Sequence, residues 1–300
     1  MRALGVLICE HVCTVVRSQV HCEGRGCYWS EDSHKCYLKY VLGSEGTYAQ
    51  NYQDWWVARL AQRNNWTAGG YFLDLGAHSG IWCSNTKLLE ETLGWKGICV
   101  EPFPENGPTK ESFLERSCVL VPRALTGSVN GQVVRMSGAD SQAMKLKLSD
   151  LNSGVMSGGS QHGREARTMS VTRLLGCPGS SQEDCCAAAS TRGQQLGCEE
   201  LWGVGVPGFI NFVSLDVEGL ELDVLEGFPF DTVKVGCWVI EHNNEEEKRR
   251  GVIAMLTRHG YEHYAVENAG VDDFFAAPEF MDASLLAKPW RVHPHGTYGC

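Results

Sequence analysis

The stretch YFLDLGAHSG, residues 71–80, decides the fold of this chain. Its first five residues form a short apolar run, which is typical of a buried β-strand, and the run ends at Gly76. A glycine at that point permits a tight turn and lets a ligand approach the backbone closely. Residues 84–93 then carry leucines on one helical face, can be capped by Ser84 or Asn85, and end at Gly94. The pattern therefore predicts a strand, a tight turn and a helix in immediate succession.

The turn and the next strand together indicate a nucleoside-binding site. The second apolar run, GICVE, ends at Glu101, about 20 residues after the turn, where nucleoside-binding α/β folds place an acid on the ribose hydroxyls. The glycines are spaced Gly76-x-x-x-Gly80, and Asp74 precedes them. A diphosphate disfavours a neighbouring carboxylate, whereas the ammonium of an amino acid tail suits one. The pattern favours S-adenosylmethionine (SAM) over NAD.

Strand and helix signals alternate from residue 71 to about 275. They predict an α/β fold with a Rossmann-like, mostly parallel sheet covered by helices on both faces. Residues 153–167 are expected to form a loop, and residues 177–207 an insertion that covers the substrate or is a lineage-specific loop. The predicted strands are 71–75, 97–101, 119–121, 132–136, 171–175, 209–216, 233–241 and 261–266; the predicted helices are 84–93, 105–116, 220–226 and one capped by Asn243 or Asn244 that ends at Gly260.

Composition excludes several classes of protein. The chain has 300 residues, of which 43% are hydrophobic and 21% charged, so wholesale disorder is excluded. A formal net charge of −10 argues against a nucleic-acid binder, which needs a basic face. The longest early apolar run, Ala3 to Cys9, is far shorter than the roughly 20 residues of a membrane-spanning helix.

Fourteen cysteines leave the redox compartment open. Cys99 and Cys237 lie in strand-like runs, where we expect small buried hydrophobes. Poor signal-peptide features and one glycosylation sequon, Asn65-Trp66-Thr67, leave both the cytoplasm and the secretory lumen open. Most of the remaining cysteines form two groups. The group near the amino terminus, for which disulfides, free thiols or a zinc site with His21 or His34 are the alternatives, contains Cys9, Cys13, Cys22, Cys27 and Cys36. The group in the insertion contains Cys177, Cys185, Cys186 and Cys198.

Several motifs in order make residues 48–275 resemble the FkbM-type methyltransferase family, of the seven-stranded SAM-dependent class. The resemblance implies a methyltransferase domain at 46–276, with a Cys-rich insertion near 176–208, an appendage at 1–45 and a tail at 277–300. The motifs are Asp74–Gly80, Ser84-Asn85-Thr86 with Leu89-Glu90, Gly94–Gly97, Glu101–Pro104, Ser214–Gly219 with Glu221, Glu241-His242-Asn243 and Gly260-Tyr261.

The resemblance also implies roles for single residues. Glu101 would hold the ribose hydroxyls, with Pro102 and Phe103 near the adenine. Gln50 and Asp54 match a polar segment that enters the fold. The segment 122–125 departs from the expected pattern, because it lacks an acid for the adenine amino group. The methionine part of SAM would lie against the turn, and the full cofactor set is Asp74, Gly76, Ala77, Gly80, Asn85, Glu101, Pro102 and Phe103.

Acidic residues at two later strand ends are the candidate catalytic groups. Ligands bind at the carboxyl edge of open parallel sheets, where Asp216, Glu218, Glu241 and His242 are expected to lie. The carboxylates could act as a general base or bind a divalent cation, and either would help to deprotonate a hydroxyl. Glu218 could instead cap or pair with an arginine. His242 could be the base or a structural hydrogen-bonding group.

The predicted function is SAM-dependent O-methylation of a small molecule or a glycan. One alternative is a non-catalytic relative that acts in trafficking or protein interaction. The other is an NAD-dependent oxidoreductase, which the glycine spacing disfavours.

Overall fold

A computed structural model describes residues 27–30, 35–38, 47–66, 69–78, 80–81, 83–104, 113–136, 164–176, 206–264 and 271–281. Most of the predicted appendage, the insertion at 177–205, the first part of the predicted helix at 105–116 and residues 282–300 lie outside these ranges. The alternatives for the amino-terminal cysteines and for the insertion therefore stay predictions.

Seven strands form one mostly parallel sheet, which confirms the predicted fold class. The strands are β3 (Tyr71–Leu75), β4 (Lys96–Val100), β5 (Val119–Val121), β9 (Phe209–Leu215), β10 (Lys234–Glu241), β11 (Glu262–Tyr264) and β12 (Asp272–Ala276). Their order is β11-β12-β10-β9-β3-β4-β5. Strands β5, β4, β3, β9 and β10 run parallel, whereas β12 pairs antiparallel with both β10 and β11. The sequence did not predict β12 as a strand.

Helices cover both faces of this sheet, as predicted. They are α1 (Gln53–Arg63), α2 (Lys87–Leu93), α3 (Val171–Leu175), α4 (Glu221–Gly227) and α5 (Glu246–Arg258). Alternate residues of the strands face opposite sides. Phe72 of β3 packs with apolar side chains of α1 and α2, whereas Leu73 packs with those of α3, α4 and α5. Burial on both faces explains the nearly continuous apolar runs in the sequence.

A three-stranded sheet flanks the main one. It contains β6 (Ala124–Thr126), β7 (Val133–Met136) and β8 (Arg164–Ser170), in the order β6-β8-β7. The antiparallel strand predicted after Asn130-Gly131 is β7, which pairs with β8. A separate antiparallel hairpin comprises β1 (Cys27–Ser30) and β2 (Lys35–Leu38).

Two of the sequence predictions for this region are wrong. Residues 171–175 form helix α3 and not a strand, because Ser170 caps them by accepting a hydrogen bond from the Arg173 amide at 3.3 Å. The end of the predicted 153–167 loop belongs to strand β8, since its residues pair with β7.

The caps of two helices also differ from prediction. Helix α5 begins at Glu246, and Asn243 and Asn244 adopt positive φ values of 51° and 58° in the preceding turn. Helix α2 begins at Lys87, after a turn in which the Ser84 hydroxyl accepts a hydrogen bond from the Lys87 amide at 3.1 Å. Asparagine and serine side chains stabilise such turns as readily as they stabilise helix ends.

The cysteine predictions for the core are half right. Cys237 is a buried free thiol, as expected. Cys99 is buried but forms a disulfide with Cys118, which links β4 to the segment that precedes β5. Sequence spacing alone does not reveal such a pair, because the two cysteines meet only when β4 and β5 align.

The described part of the domain continues past residue 276. A short 3-10 helix, Pro278–Phe280, follows β12, and the Phe280 carbonyl accepts a hydrogen bond from Asn64 Nδ2 at 2.8 Å. The ring of Phe280 also packs edge-on against Trp66. None of the described helices is long and apolar enough to cross a membrane.

Candidate active site

The turn after β3 is fixed between the ends of two neighbouring strands. The amides of Gly76 and Ala77 both donate to the Val100 carbonyl at 2.9 Å, and the Asp216 amide donates to the Leu75 carbonyl at 2.8 Å. Gly76 has a φ of +93°, and a Cβ placed on it would lie 1.6 Å from the Asp216 carbonyl oxygen. Only glycine fits this backbone geometry. The predicted cofactor turn and the predicted catalytic aspartate are therefore in direct contact.

Glu101 closes the other side of the turn. Its Oε2 accepts a hydrogen bond from the His78 amide at 3.0 Å, and its Oε1 accepts one from the Phe103 amide at 2.9 Å. Glu101 is half-buried. Burial lowers the pKa of His78, which favours a neutral ring. The structure thus brings Glu101 and the turn together, as a shared nucleoside site requires.

The same hydrogen bonds disfavour the dinucleotide alternative. A diphosphate binds through free backbone amides at the start of a helix. Here the amides of Gly76, Ala77 and His78 already donate to Val100 or Glu101.

Asp74 and Asn85, two predicted cofactor residues, are held by protein partners. The Asp74 carboxylate is buried, accepts a hydrogen bond from the Thr86 hydroxyl at 2.5 Å and lies 4.0 Å from Arg116 Nη1. Burial raises its pKa, against the lowering effect of Arg116. Asn85 Nδ2 donates to the Ser214 hydroxyl at 2.9 Å. Both residues are hydrogen-bonded to protein groups. Their direct contact with a cofactor stays a prediction.

The residues predicted near the adenine lie beside the three-stranded sheet. Phe103 is buried, with the Arg164 guanidinium 4.3 Å from its ring centroid, and Pro102 is half-buried. Phe103 packs with Ala124 and Leu220, so the segment after β5 forms part of this wall. Gly80, at the far end of the turn, has a φ of +76°.

Three carboxylates gather at the carboxyl edge of the sheet. Each of Asp216, Glu221 and Glu241 offers an oxygen, and these oxygens lie within 4.8 Å of one another. Burial raises the pKa of the Asp216 carboxyl well above its ordinary range, and the nearby Glu241 raises it further. Oδ1 of Asp216 is inaccessible to solvent and has no hydrogen-bond partner among the described residues. A carboxyl group with a raised pKa is suited to take up a proton.

Glu221 has a different role from the other two. Its Oε1 accepts hydrogen bonds from the Val217 and Gly219 amides at 3.0 and 3.1 Å, and its Oε2 pairs with Lys248 Nζ at 3.0 Å. Glu221 therefore shapes the loop after β9. In contrast, Asp216 and Glu241 have no cationic partner among the residues that the structure describes, and Glu241 Oε2 accepts a hydrogen bond from Asn243 Nδ2 at 2.5 Å. The resemblance included Glu221 only as a motif residue and gave it no role.

Glu218 and His242 lie at the same edge in supporting positions. Glu218 is half-buried and has a φ of 57°. His242 is buried, and its Nδ1 accepts a hydrogen bond from the Asn244 amide at 3.0 Å. Burial lowers the pKa of His242. This arrangement favours the structural alternative for His242, and the catalytic roles of both residues stay predictions.

Asp272 is a site residue that sequence reasoning missed. It lies in β12 directly opposite Glu241, and it accepts hydrogen bonds from Gln53 Nε2 at 2.6 Å and Asn51 Nδ2 at 3.5 Å. Burial and the nearby Glu241 raise its pKa to about 7. The acidic pair Asp272-Asp273 was the sequence signal that could have identified this residue. The pair alone does not reveal that an antiparallel strand places Asp272 beside Glu241.

The family resemblance matched Gln50 and Asp54 to a polar segment that enters the fold, near the start of α1. In the structure, other residues of this segment contact the acidic edge of the sheet. Asp54 is fully buried and accepts hydrogen bonds from the amides of Tyr48, Ala49 and Trp55, and from the Thr47 hydroxyl. Burial raises its pKa to about 6. Gln50 is exposed. Asp54 therefore orders the segment, and Gln53 and Asn51 contact the acidic edge.

Comparison with known proteins agrees with this geometry. Residues 74–263 match the profile of the Methyltransferase FkbM domain. The chain belongs to this family. The FkbM match spans the turn, Glu101 and the strand ends that carry Asp216 and Glu241, so the protein is a methyltransferase by family.

Solved structures also resemble the chain. The chain is similar to the crystal structure of precorrin-6y C5,15-methyltransferase from Geobacter metallireducens GS-15, with 11% identity and a TM-score of 0.34. That similarity covers 73% of this chain and 84% of the other. No curated protein sequence matches the chain.

The close contact at Gly76 predicts a large effect of a single methyl group. Gly76→Ala should lower the free energy of unfolding by more than about 3 kcal/mol, because the added Cβ overlaps the Asp216 carbonyl and strain at positive φ adds to it. The control is Gly131→Ala, whose φ of +76° is similar but whose Cβ would meet nothing within 4 Å. Urea unfolding measures both variants, and equal losses would contradict the account.

Proposed function

We propose that the protein transfers a methyl group from SAM to a hydroxyl oxygen of a small molecule or a glycan. The observation that carries the proposal is the contact between the Gly76 turn and Asp216. It sets a nucleoside-type turn, with Glu101 on one side, directly beside carboxyl groups that can accept a proton. A donor bound on the turn would present its reactive end to this acidic edge.

The charge of the edge supports a cationic donor. Asp216, Glu218, Glu241 and Asp272 lie at or beside it, and Lys248, the cation that contacts the cluster, is bound to Glu221. A site with net negative charge stabilises the positive sulfonium of SAM. Methyl transfer converts the sulfonium to a neutral thioether, so the same field binds the donor more tightly than the product.

The proposed reaction is an in-line displacement. The acceptor oxygen bonds to the methyl carbon while the carbon–sulfur bond breaks, and the bonding electron pair stays on sulfur. The hydroxyl proton passes to Asp216 or Glu241, the two carboxyl groups of the cluster other than Glu221, which pairs with Lys248. Positioning of the two reactants supplies much of the rate enhancement in such a reaction.

We further propose that a divalent cation can bind at this edge. Oxygen ligands suit Mg²⁺, Mn²⁺ or Ca²⁺, and the unpartnered Oδ1 of Asp216 fits such an ion beside Glu241. A bound cation would lower the pKa of an acceptor hydroxyl.

Removal of metal distinguishes a mechanism that uses a bound cation from one that uses only the carboxyl groups as the base. If a cation takes part, dialysis against EDTA abolishes methyl transfer and Mg²⁺ or Mn²⁺ restores it. Unchanged transfer after EDTA treatment would remove the cation and leave the carboxyl groups as the base.

We infer that the chain resides in the secretory lumen. The Cys99–Cys118 disulfide lies within the catalytic domain, and Cys83 is disulfide-bonded as well. Disulfides of this kind persist in oxidising compartments and are rare in the cytosol. The Asn65 sequon and the further cysteines of the chain agree with that placement.

A mass measurement tests the compartment. Protein purified from its native source under alkylating conditions should gain mass only after reduction at Cys99 and Cys118. Alkylation of both residues without reduction would place the chain in a reducing compartment.

Two matched variants separate donor binding from transfer. Glu101→Gln should weaken SAM binding at least about tenfold in calorimetry, because a charge-assisted hydrogen bond to the ribose is lost. Asp216→Asn should transfer at least about a hundredfold more slowly, because the proton acceptor is gone, while it loses less SAM affinity than Glu101→Gln. The control is Glu226→Gln, an exposed carboxylate on α4.

The acceptor side is measured with methyl-labelled SAM and a panel of glycans and hydroxylated small molecules. Absence of SAM binding to the folded wild type would contradict the proposal. SAM binding without transfer to any member of the panel favours the non-catalytic alternative, in which the turn serves protein interaction or trafficking.

A further inference from the structure

The segment from Phe113 to Cys118 contacts Gly80, the last residue of the turn that is proposed to bind the donor. We propose that Arg116 is a positioning residue for this turn, and that the Cys99–Cys118 disulfide holds Arg116 in place. The inference rests on the proposed function, because it assigns a control of donor binding at that same site. Arg116 lies outside the residues that the sequence identified as candidates.

Arg116 joins four parts of the turn and its helix. Its side chain is wholly buried, and its Nε pairs with Glu90 Oε2 at 2.6 Å. Nη1 donates to the Gly80 carbonyl and, at 3.0 Å, to the Ser84 hydroxyl, while Nη2 donates to the Thr86 hydroxyl at 2.7 Å. A guanidinium has five N–H groups in a fixed planar fork, so these bonds set one orientation. The carbonyl that ends the turn is thereby fixed to helix α2.

The same guanidinium compensates the buried acid of β3. Asp74 Oδ2 lies 4.0 Å from Nη1 and also accepts the Thr86 hydroxyl at 2.5 Å. Removal of one partner of a buried ion pair leaves an uncompensated charge, which is costly. A lysine would keep the charge but lose the fork, since its three N–H groups radiate from a single nitrogen and cannot match the spaced, coplanar donors of a guanidinium.

Phe113 holds the turn from a second side. A Cβ on Gly80 would lie 2.9 Å from the Phe113 ring, so the ring packs directly on the Gly80 α-carbon. The Arg116 amide donates to the Phe113 carbonyl at 3.2 Å, which makes the two residues one local unit. The intervening Leu114 is 83% exposed, so it adds no anchor of its own.

The disulfide ties this unit to the sheet. Cys118 follows Arg116 by two positions, and Cys99 lies in β4, directly opposite Asp74 of β3. Lys87 Nζ donates to the Glu115 carbonyl at 2.9 Å and provides a second tie to α2. Rupture of the disulfide removes the covalent tie at Cys118, so that only the pairing of β5 with β4 holds the carboxyl end of the segment and the origin of the arginine fork is less firmly fixed. Donor binding therefore depends on the oxidised state of this pair.

Arg116→Met, Arg116→Lys and the control Arg250→Met test the positioning role. Arg250 is exposed on α5, where its Nε donates to the Glu246 carbonyl. We expect SAM affinity in calorimetry to fall at least tenfold in Arg116→Met, less in Arg116→Lys and not at all in Arg250→Met. Measurements use a temperature at which circular dichroism shows every variant folded. Equal SAM affinity of folded Arg116→Met and wild type would overturn the inference.

Hydrogen exchange supplies a readout that needs no ligand. The amides of residues 76–81 should exchange faster in Arg116→Met than in the wild type, and at the wild-type rate in Arg250→Met. Unchanged exchange in Arg116→Met overturns the positioning role even if the wild type binds no SAM. A wild type without SAM affinity overturns the proposed function instead, so the two failures are distinguishable.

The disulfide is tested by the double variant Cys99→Ala, Cys118→Ala. We expect weaker SAM binding and faster exchange at residues 76–81, in the same direction as Arg116→Met. Because Cys83 is also disulfide-bonded, the variant is more specific than a reductant. Wild-type affinity and wild-type exchange in the double variant would show that Arg116 needs no disulfide to hold the turn.

Discussion

The site depends on one close approach, that of the Gly76 backbone to the carbonyl of Asp216. The carbonyl oxygen occupies the place where any side chain on Gly76 would begin. Two hydrogen bonds to Val100 and one from Asp216 to Leu75 then fix the ends of three parallel strands at a single point. Because the turn proposed to bind the donor and the carboxyl group proposed to take the proton share this point, neither can move without the other.

Two kinds of buried carboxyl group surround that contact, and their partners differ. Asp74 and Glu90 lie beside the guanidinium of Arg116, so they serve to hold the turn and helix α2. Burial raises the pKa of Asp216, and the charged groups that raise this pKa further are the acids Glu241, Glu218 and Glu221. A buried acid with a cationic partner stabilises one geometry, whereas a buried acid without one is poised to gain a proton or a positive ligand.

The predictable part of the molecule is the part that local pattern encodes. The apolar runs ending at Gly76, Glu101, Asp216 and Glu241 predicted both the parallel strands and their acidic ends, because strands buried on two faces are apolar throughout. The residues at 171–175 were misread as a strand because valine and threonine favour strands, yet the Ser170 cap decides for helix.

Long-range pairing explains what the sequence did not reveal. Asp272 reaches the site only because antiparallel β12 aligns it with Glu241, and Gln53 contacts it from a segment more than 200 positions earlier. The Cys99–Cys118 disulfide and the Arg116 fork likewise depend on the alignment of β4 and β5. The spacing of residues along the sequence does not predict these contacts.

The central claim is that one edge of the sheet binds the donor and activates the acceptor. A crystal structure of the protein with S-adenosylhomocysteine tests it most directly. The account predicts the homocysteine part on the Gly76 turn, both ribose hydroxyls on Glu101 and the sulfur facing the Asp216 and Glu241 carboxyl groups. A ligand bound elsewhere, or one whose sulfur faces away from these carboxyl groups, would contradict it.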